Sequence, residues 1–216
     1  MSVKRSWWLA AGALALLAAF PAGARAQVFY SMPGARPVPD ESPALGIALG
    51  LADNRFRLDG FGRFNASQRA DIGLEVVYED LDTGPGSNDS SRFGAGADFK
   101  YLAVRQGSNT PVDAAVQFGA GVLARSGYTL IRMPLGALVS RTFTVDRDRD
   151  IVPYGGVYLI MDFVDHDTPG NSGFDSDIDV EMRVGASAEI STHTSVFAAL
   201  HAGNGTMFFL GFSVGL

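Results

Sequence analysis

The closing segment, from Thr206 to Leu216, constrains the fold most. Phe208, Leu210, Phe212, Val214 and Leu216 fall on one face of a period-two strand, and Phe209, Gly211, Ser213 and Gly215 fall on the other. One face is continuously apolar and the other is mostly small. The same alternation recurs through most of the chain, whereas no long apolar run follows residue 26. A chain of this kind can enter a membrane only through strands whose lipid-facing residues are diluted by alternation.

The N-terminal stretch reads differently. Lys4 and Arg5 precede an apolar run from Trp7 to Phe20, and Ala24-Arg25-Ala26 supplies a small-x-small cleavage pattern before Gln27. Residues 1–26 are therefore expected to be a cleaved signal peptide, because the apolar run is shorter than the ~20 residues of a spanning helix. The leader carries Lys4, Arg5 and Arg25 and no acid, so the mature chain is more acidic than the net charge of −6 of the whole. No basic stripe exists to neutralise phosphates, and nucleic acid is not an expected partner. The absence of cysteine excludes disulfides, thiolate metal sites and lipid attachment at an N-terminal cysteine. Residues 27–43 hold Pro33, Pro37, Pro39 and Pro43, which remove backbone donors. They are expected to form an extended periplasmic lead-in, too poor in apolar residues to fold as a plug.

From residue 44 to 216 the pattern predicts strand after strand. Leu45, Ile47, Leu49 and Leu51 alternate with small residues, and Asp53-Asn54 reverses the chain into 55–65. Gly60-Phe61-Gly62 is expected to bend or bulge that strand. Strands follow over 72–79, 92–105, 112–124 and 128–141, the last with an expected bulge at Pro134. Residues 80–91 and 165–176 are read as long loops, and Asp146-Arg147-Asp148-Arg149-Asp150 as a charged connection. Strands then cover 151–164 and 177–190. Val184 is expected to face hydrocarbon, and Gly185 and Ser187 the lumen. A strand through Val196 and Leu200 meets Gly203-Asn204-Gly205, a hairpin signal into the closing strand.

The prediction is an all-β fold: a closed, antiparallel, up-and-down transmembrane β-barrel of about ten strands, with eight as the alternative. An even number returns both ends of the barrel domain to one side. The lipid face of the closing strand is Phe208, Leu210, Phe212, Val214 and Leu216. The inward faces bring Arg57, Arg63, Lys100, Arg132 and Arg183 into a narrow lumen with Glu75, Asp98, Asp179, Glu181 and Glu189, where charges must pair or stay hydrated.

From Leu45 to Leu216 the chain resembles the small bacterial outer-membrane β-barrels of the opacity and adhesin type. The resemblance rests on the alternation, on Val152-Pro153-Tyr154-Gly155-Gly156-Val157-Tyr158, and on a closing strand similar to the signal read by the barrel-assembly machinery. It implies a location in the cell outer membrane, contact with its lipids and lipopolysaccharide, recognition by that machinery during biogenesis, and a monomeric state. The function expected is structural or surface-interaction, with a narrow porin-like channel for small solutes as the alternative and a surface enzyme as a more distant one.

No catalytic residue, cofactor or metal is expected. His193 and Ser195 have the His-x-Ser spacing of outer-membrane lipid A deacylases, but strand parity puts them at a periplasmic turn. His166, with Asp82 and Asp89 on the other long loop, resembles the omptin constellation, against the simpler reading of solvated acidic loops. Asp175, Asp177 and Asp179 lack the glycine and glutamate of a calcium loop, which leaves a solvated rim or a cation bridging lipopolysaccharide phosphates.

Overall fold

The computed structural model describes residues 34–39, 43–81, 91–146, 149–168, 171–203 and 205–216. The expected signal peptide, most of the Pro-rich lead-in and the centre of the 80–91 loop lie outside these residues. Every regular element described is a strand: β1 (Ala44–Ala52), β2 (Arg55–Ser67), β3 (Ala70–Leu81), β4 (Ser91–Val104), β5 (Asp113–Arg125), β6 (Tyr128–Ser140), β7 (Phe143–Asp146), β8 (Arg149–Thr168), β9 (Asn171–Ser191), β10 (Thr194–Gly203) and β11 (Gly205–Gly215).

All pairings are antiparallel, each strand beside its neighbours in sequence, and the ring closes where β1 meets β11. β6 bypasses β7 to pair with β8, so ten strands form the wall and β7 is a short outrigger on the start of β8. The charged connection at 146–150 is thus partly strand, with Asp146 opposite Arg149. The ring rules out the eight-strand alternative. We call the end holding Ala44 and Gly215 the base and the opposite end the rim.

Alternation places the side chains. Leu49 on β1 faces Leu210 on β11 and Leu58 on β2, all exposed on the outer wall. On the closing strand Phe208, Leu210, Phe212 and Leu216 are exposed and Val214 is half-buried. Arg57, Lys100, Glu181 and Arg183 are buried inside. This is a soluble protein turned inside out, and the outer belt of Leu, Ile, Val and Phe requires hydrocarbon around it.

Three expectations fail for identifiable reasons. Gly60-Phe61-Gly62 forms no bulge in β2: the register with β1 and β3 runs unbroken through all three, and Phe61 keeps its inward, buried place. Pro134 forms no bulge. Pairing with β8 continues through Pro134 opposite Ile160, and on the β5 side the pairs at Met133 and Pro134 lapse while the register on either side of the gap is kept. A proline without an N–H loses a local ladder bond, but a slipped register would turn every inward side chain outward. Residues 165–168 and 171–176, expected in a loop, are strand. β8 and β9 stay paired to Thr168 opposite Asn171, and the polar residues there show only that the hairpin has left the lipid.

The Pro-rich lead-in also departs from expectation. Residues 34–39 lie inside the base of the barrel, with Ala35 fully buried against Leu102, Ala115 and Leu138. No folded plug is needed, because the lumen wall supplies partners for a bare extended strap.

Candidate functional site

The interior is the part of the molecule with chemistry in it. A chain of polar contacts crosses the lumen. Arg183 donates to Glu181 at 2.5 Å, and its guanidinium lies 4.0 Å over the Tyr158 ring. The Tyr158 hydroxyl donates to Gln117 at 2.9 Å, and Gln117 donates to Asp98 at 2.7 Å. Asp98 and Asp71 both accept from Arg63, and Lys100 stands 3.4 Å from Asp71.

The strap ends that chain. Lys100 donates to the carbonyls of Gly34 at 3.0 Å and Arg36 at 2.9 Å. The Ala35 N–H donates to Ser140 at 2.9 Å, and the Val38 N–H to Asp71 at 3.2 Å. Asn65 donates to the Val38 carbonyl at 2.7 Å, and Arg36 to Asp113 at 2.7 Å. Gly34 takes φ of +99°, a left-handed value that lets the chain pass Val152 and Ser140. Five successive strands, β2 to β6, each give one polar side chain to the strap. Beside it lies a cavity of about 310 Å³ lined in part by Ser187, Glu189, Ser195 and Ser213.

Further ion pairs sit toward the rim. Arg57 donates to Asp59 at 2.6 Å and Glu75 at 2.5 Å, and Arg132 grips Asp162 with two bonds of 2.7 and 2.5 Å. Aromatic rings fill the remaining space. Phe61, Phe197 and Phe209 are buried together with Tyr154 and Met207. Their room comes from inward glycines: a Cβ at Gly46 would lie 2.3 Å from the Phe61 ring, and one at Gly211 2.3 Å from Phe197. Small residues on the inward face of the closing strand therefore serve large neighbours, which is why that face reads as featureless in sequence.

Of the expected lumen charges, Arg57, Arg63, Glu75, Asp98, Lys100, Arg132, Glu181 and Arg183 are buried and joined to opposite charges, directly or through one neighbour. Asp179 stands half-buried near the rim, and Glu189 is exposed at the base beside the cavity. The sequence reading missed Asp71, which binds both Arg63 and Lys100, and left Asp59, Asp162, Gln117 and Tyr158 out of the network. All five lie on the inward side of their strands and are buried, so the missing signal was cross-strand register.

The described residues of the enzyme-like motifs lie at both ends of the barrel. The His193 carbonyl accepts from the Gly215 N–H at 2.7 Å at the base turn, while Ser195 lines the cavity. His166 packs edge-on to Tyr128 and lies 3.8 Å from Asp175; Asp82 and Asp89 fall outside the described residues. Asp177 accepts from the Ile178 N–H of its own strand at 2.8 Å. Among the described residues, no group of three or more His, Cys, Asp or Glu side chains is placed to hold a metal ion.

No family model matches this chain, and no curated protein matches it. Solved structures do. An outer membrane channel from Pseudomonas putida F1 is similar with a TM-score of 0.45 at 9% identity, covering 88% of this chain and 100% of that one. The KdgM porin gives 0.40 at 12%, covering 79% and 98%. The outer membrane protease OmpT from Escherichia coli gives 0.43 at 8%, covering 82% and 95%.

Proposed function

We propose that this protein is an outer-membrane β-barrel of structural or surface-interaction type whose lumen is closed. The observation that carries the reading is the filled mid-lumen: Arg57, Phe61, Tyr158, Phe197 and Phe209 are all buried, so side chains occupy the cross-section that a conducting pore keeps wet. Buried lumen charges pair across neighbouring strands, Arg57 with Glu75, Arg63 with Asp71 and Asp98, and Arg132 with Asp162, which supports a wall-bracing role for them. The apolar belt is read as the surface for membrane lipids and lipopolysaccharide, and the closing strand as the handle for the assembly machinery. The base then faces the periplasm and the rim the exterior, which puts His193 and Ser195 on the periplasmic side.

Planar-bilayer recording tests the closed lumen. Purified barrel is expected to insert without steady conductance; resolved, reproducible open levels overturn the reading. Fractionation with N-terminal sequencing tests the location, with a product beginning at Gln27 expected in the outer membrane.

A further inference from the structure

We infer that the rim-side edge of β9 is a docking site for an extended, basic segment of a partner protein, which joins the sheet as one more strand. The inference deepens the surface-interaction reading and rests on it. β9 is paired with β8 from Asn171 to Ala188, but β10 accompanies it only from Met182 onward. The cause is in the sequence: Gly203-Asn204-Gly205 turns the chain into β11 while β9 still has half its length to run. Among the described residues, no strand lies along the other edge of residues 173–179. The Ile178 N–H on this stretch donates to the Asp177 carboxylate. A bare edge of this kind is a template for strand addition.

The side chains say which strand fits. Asp175, Asp177 and Asp179 recur at every second position, while Phe174 and Ile178, 67% and 64% exposed, occupy the other face. Phe174 already stacks on Phe163 across the hairpin, ring centroids 6.1 Å apart. A strand laid on this edge sets its alternate residues opposite the carboxylates, where cations attract and anions repel, and its intervening residues beside the two apolar side chains. A second copy of this chain brings the same carboxylates, so self-pairing is disfavoured and a basic, alternating partner is selected.

The test uses the full barrel in zwitterionic nanodiscs. The probes are a short peptide alternating lysine and valine, its glutamate counterpart, and the lysine peptide with methylated backbone amides. The lysine peptide is expected to bind saturably and to slow amide exchange over residues 174–178, with the other two at least roughly tenfold weaker. Asp175→Lys, at a side chain 81% exposed, is expected to weaken the lysine peptide and favour the glutamate one. Ile178→Pro, a substitution an edge strand tolerates, is expected to abolish binding. Equal binding of the methylated and unmethylated lysine peptides means charge attraction alone and overturns the proposal, as does a dimer that already protects these amides. Conductance of the same preparation separates the two failures: a silent barrel that ignores the peptide overturns only the edge site, whereas steady conductance overturns the closed-barrel reading beneath it.

Discussion

The base and the rim both contain backbone that has left the strand ladder, and they treat it in opposite ways. At the base, the strap's N–H groups at Ala35 and Val38 and its carbonyls at Gly34, Arg36 and Val38 meet Ser140, Asp71, Lys100 and Asn65. At the rim, one edge of β9 runs past its neighbour, and the Ile178 amide donates to the side chain before it. Burial explains the difference. A buried backbone group without a partner costs a large part of a domain's net stability, so the base must be paired, whereas water serves the rim and leaves its edge available.

The largest effect expected belongs to the base. Arg63→Met removes the guanidinium shared by Asp71 and Asp98, leaving Asp98 with the neutral Gln117 amide and Asp71 with Lys100 and the Val38 N–H. Breaking a buried pair in this way is expected to cost about 3–5 kcal/mol, read from urea unfolding of barrel in vesicles. At the rim, Asp175→Ala loses only the 3.8 Å approach to His166 and should leave the midpoint unchanged. Comparable losses at both ends would show that the base interior is hydrated.

Next in size is the wall that joins the two ends. Val184 lies on the outer face of β9, and Val184→Arg is expected to cost roughly 2–4 kcal/mol and to reduce assembled barrel. The fair lumen control is Ser187→Arg, whose side chain enters the base cavity near Glu189 and Asp150. Gly185 faces inward but is no free position, since a Cβ there would meet the Tyr154 hydroxyl at 2.5 Å. Normal folding of Val184→Arg beside failure of Ser187→Arg would exchange the two faces and remove the lumen network.

How much of this was legible follows from what alternation reports. Period two tells which side of the wall a residue takes, so the apolar belt and the ten strands could be read directly. It does not tell which residue stands opposite. Asp71 beside Arg63, Gln117 beside Asp98 and Tyr158 beside Gln117 depend on register across several strands. Alternation of polarity also fails where both faces meet water, which hid the strand nature of residues 165–168 and 171–176. The strap was illegible for a third reason: its affinity for the base lies in its backbone, and only Ala35 and Arg36 contribute side chains that hold it there.

A matched pair of hydroxyl-scale changes sharpens the comparison. Ser140→Ala leaves the buried Ala35 N–H without its acceptor and is expected to cost about 1–3 kcal/mol, with faster exchange of the Ala35 and Val38 amides and none at the rim. Unchanged exchange at Ala35 would mean that the strap is held by its apolar pocket and by Lys100 alone.

The smallest effect is expected from the counterpart at the rim. Asp177→Ala takes the side-chain acceptor from an N–H just as Ser140→Ala does, and the bond lost is of similar length, 2.8 Å against 2.9 Å. Geometry alone would therefore assign the two substitutions equal losses. The Ile178 bond, however, is exposed to solvent, and water replaces the lost acceptor at little net cost. Asp177→Ala should stay within about 0.5 kcal/mol of the parent. Its amide at Ile178 should exchange faster, because the local cap is gone. A loss as large as that of Ser140→Ala would mean that the β9 edge is packed against something in the folded protein, and the contrast between a paired base and an available rim would collapse at the residue that defines it.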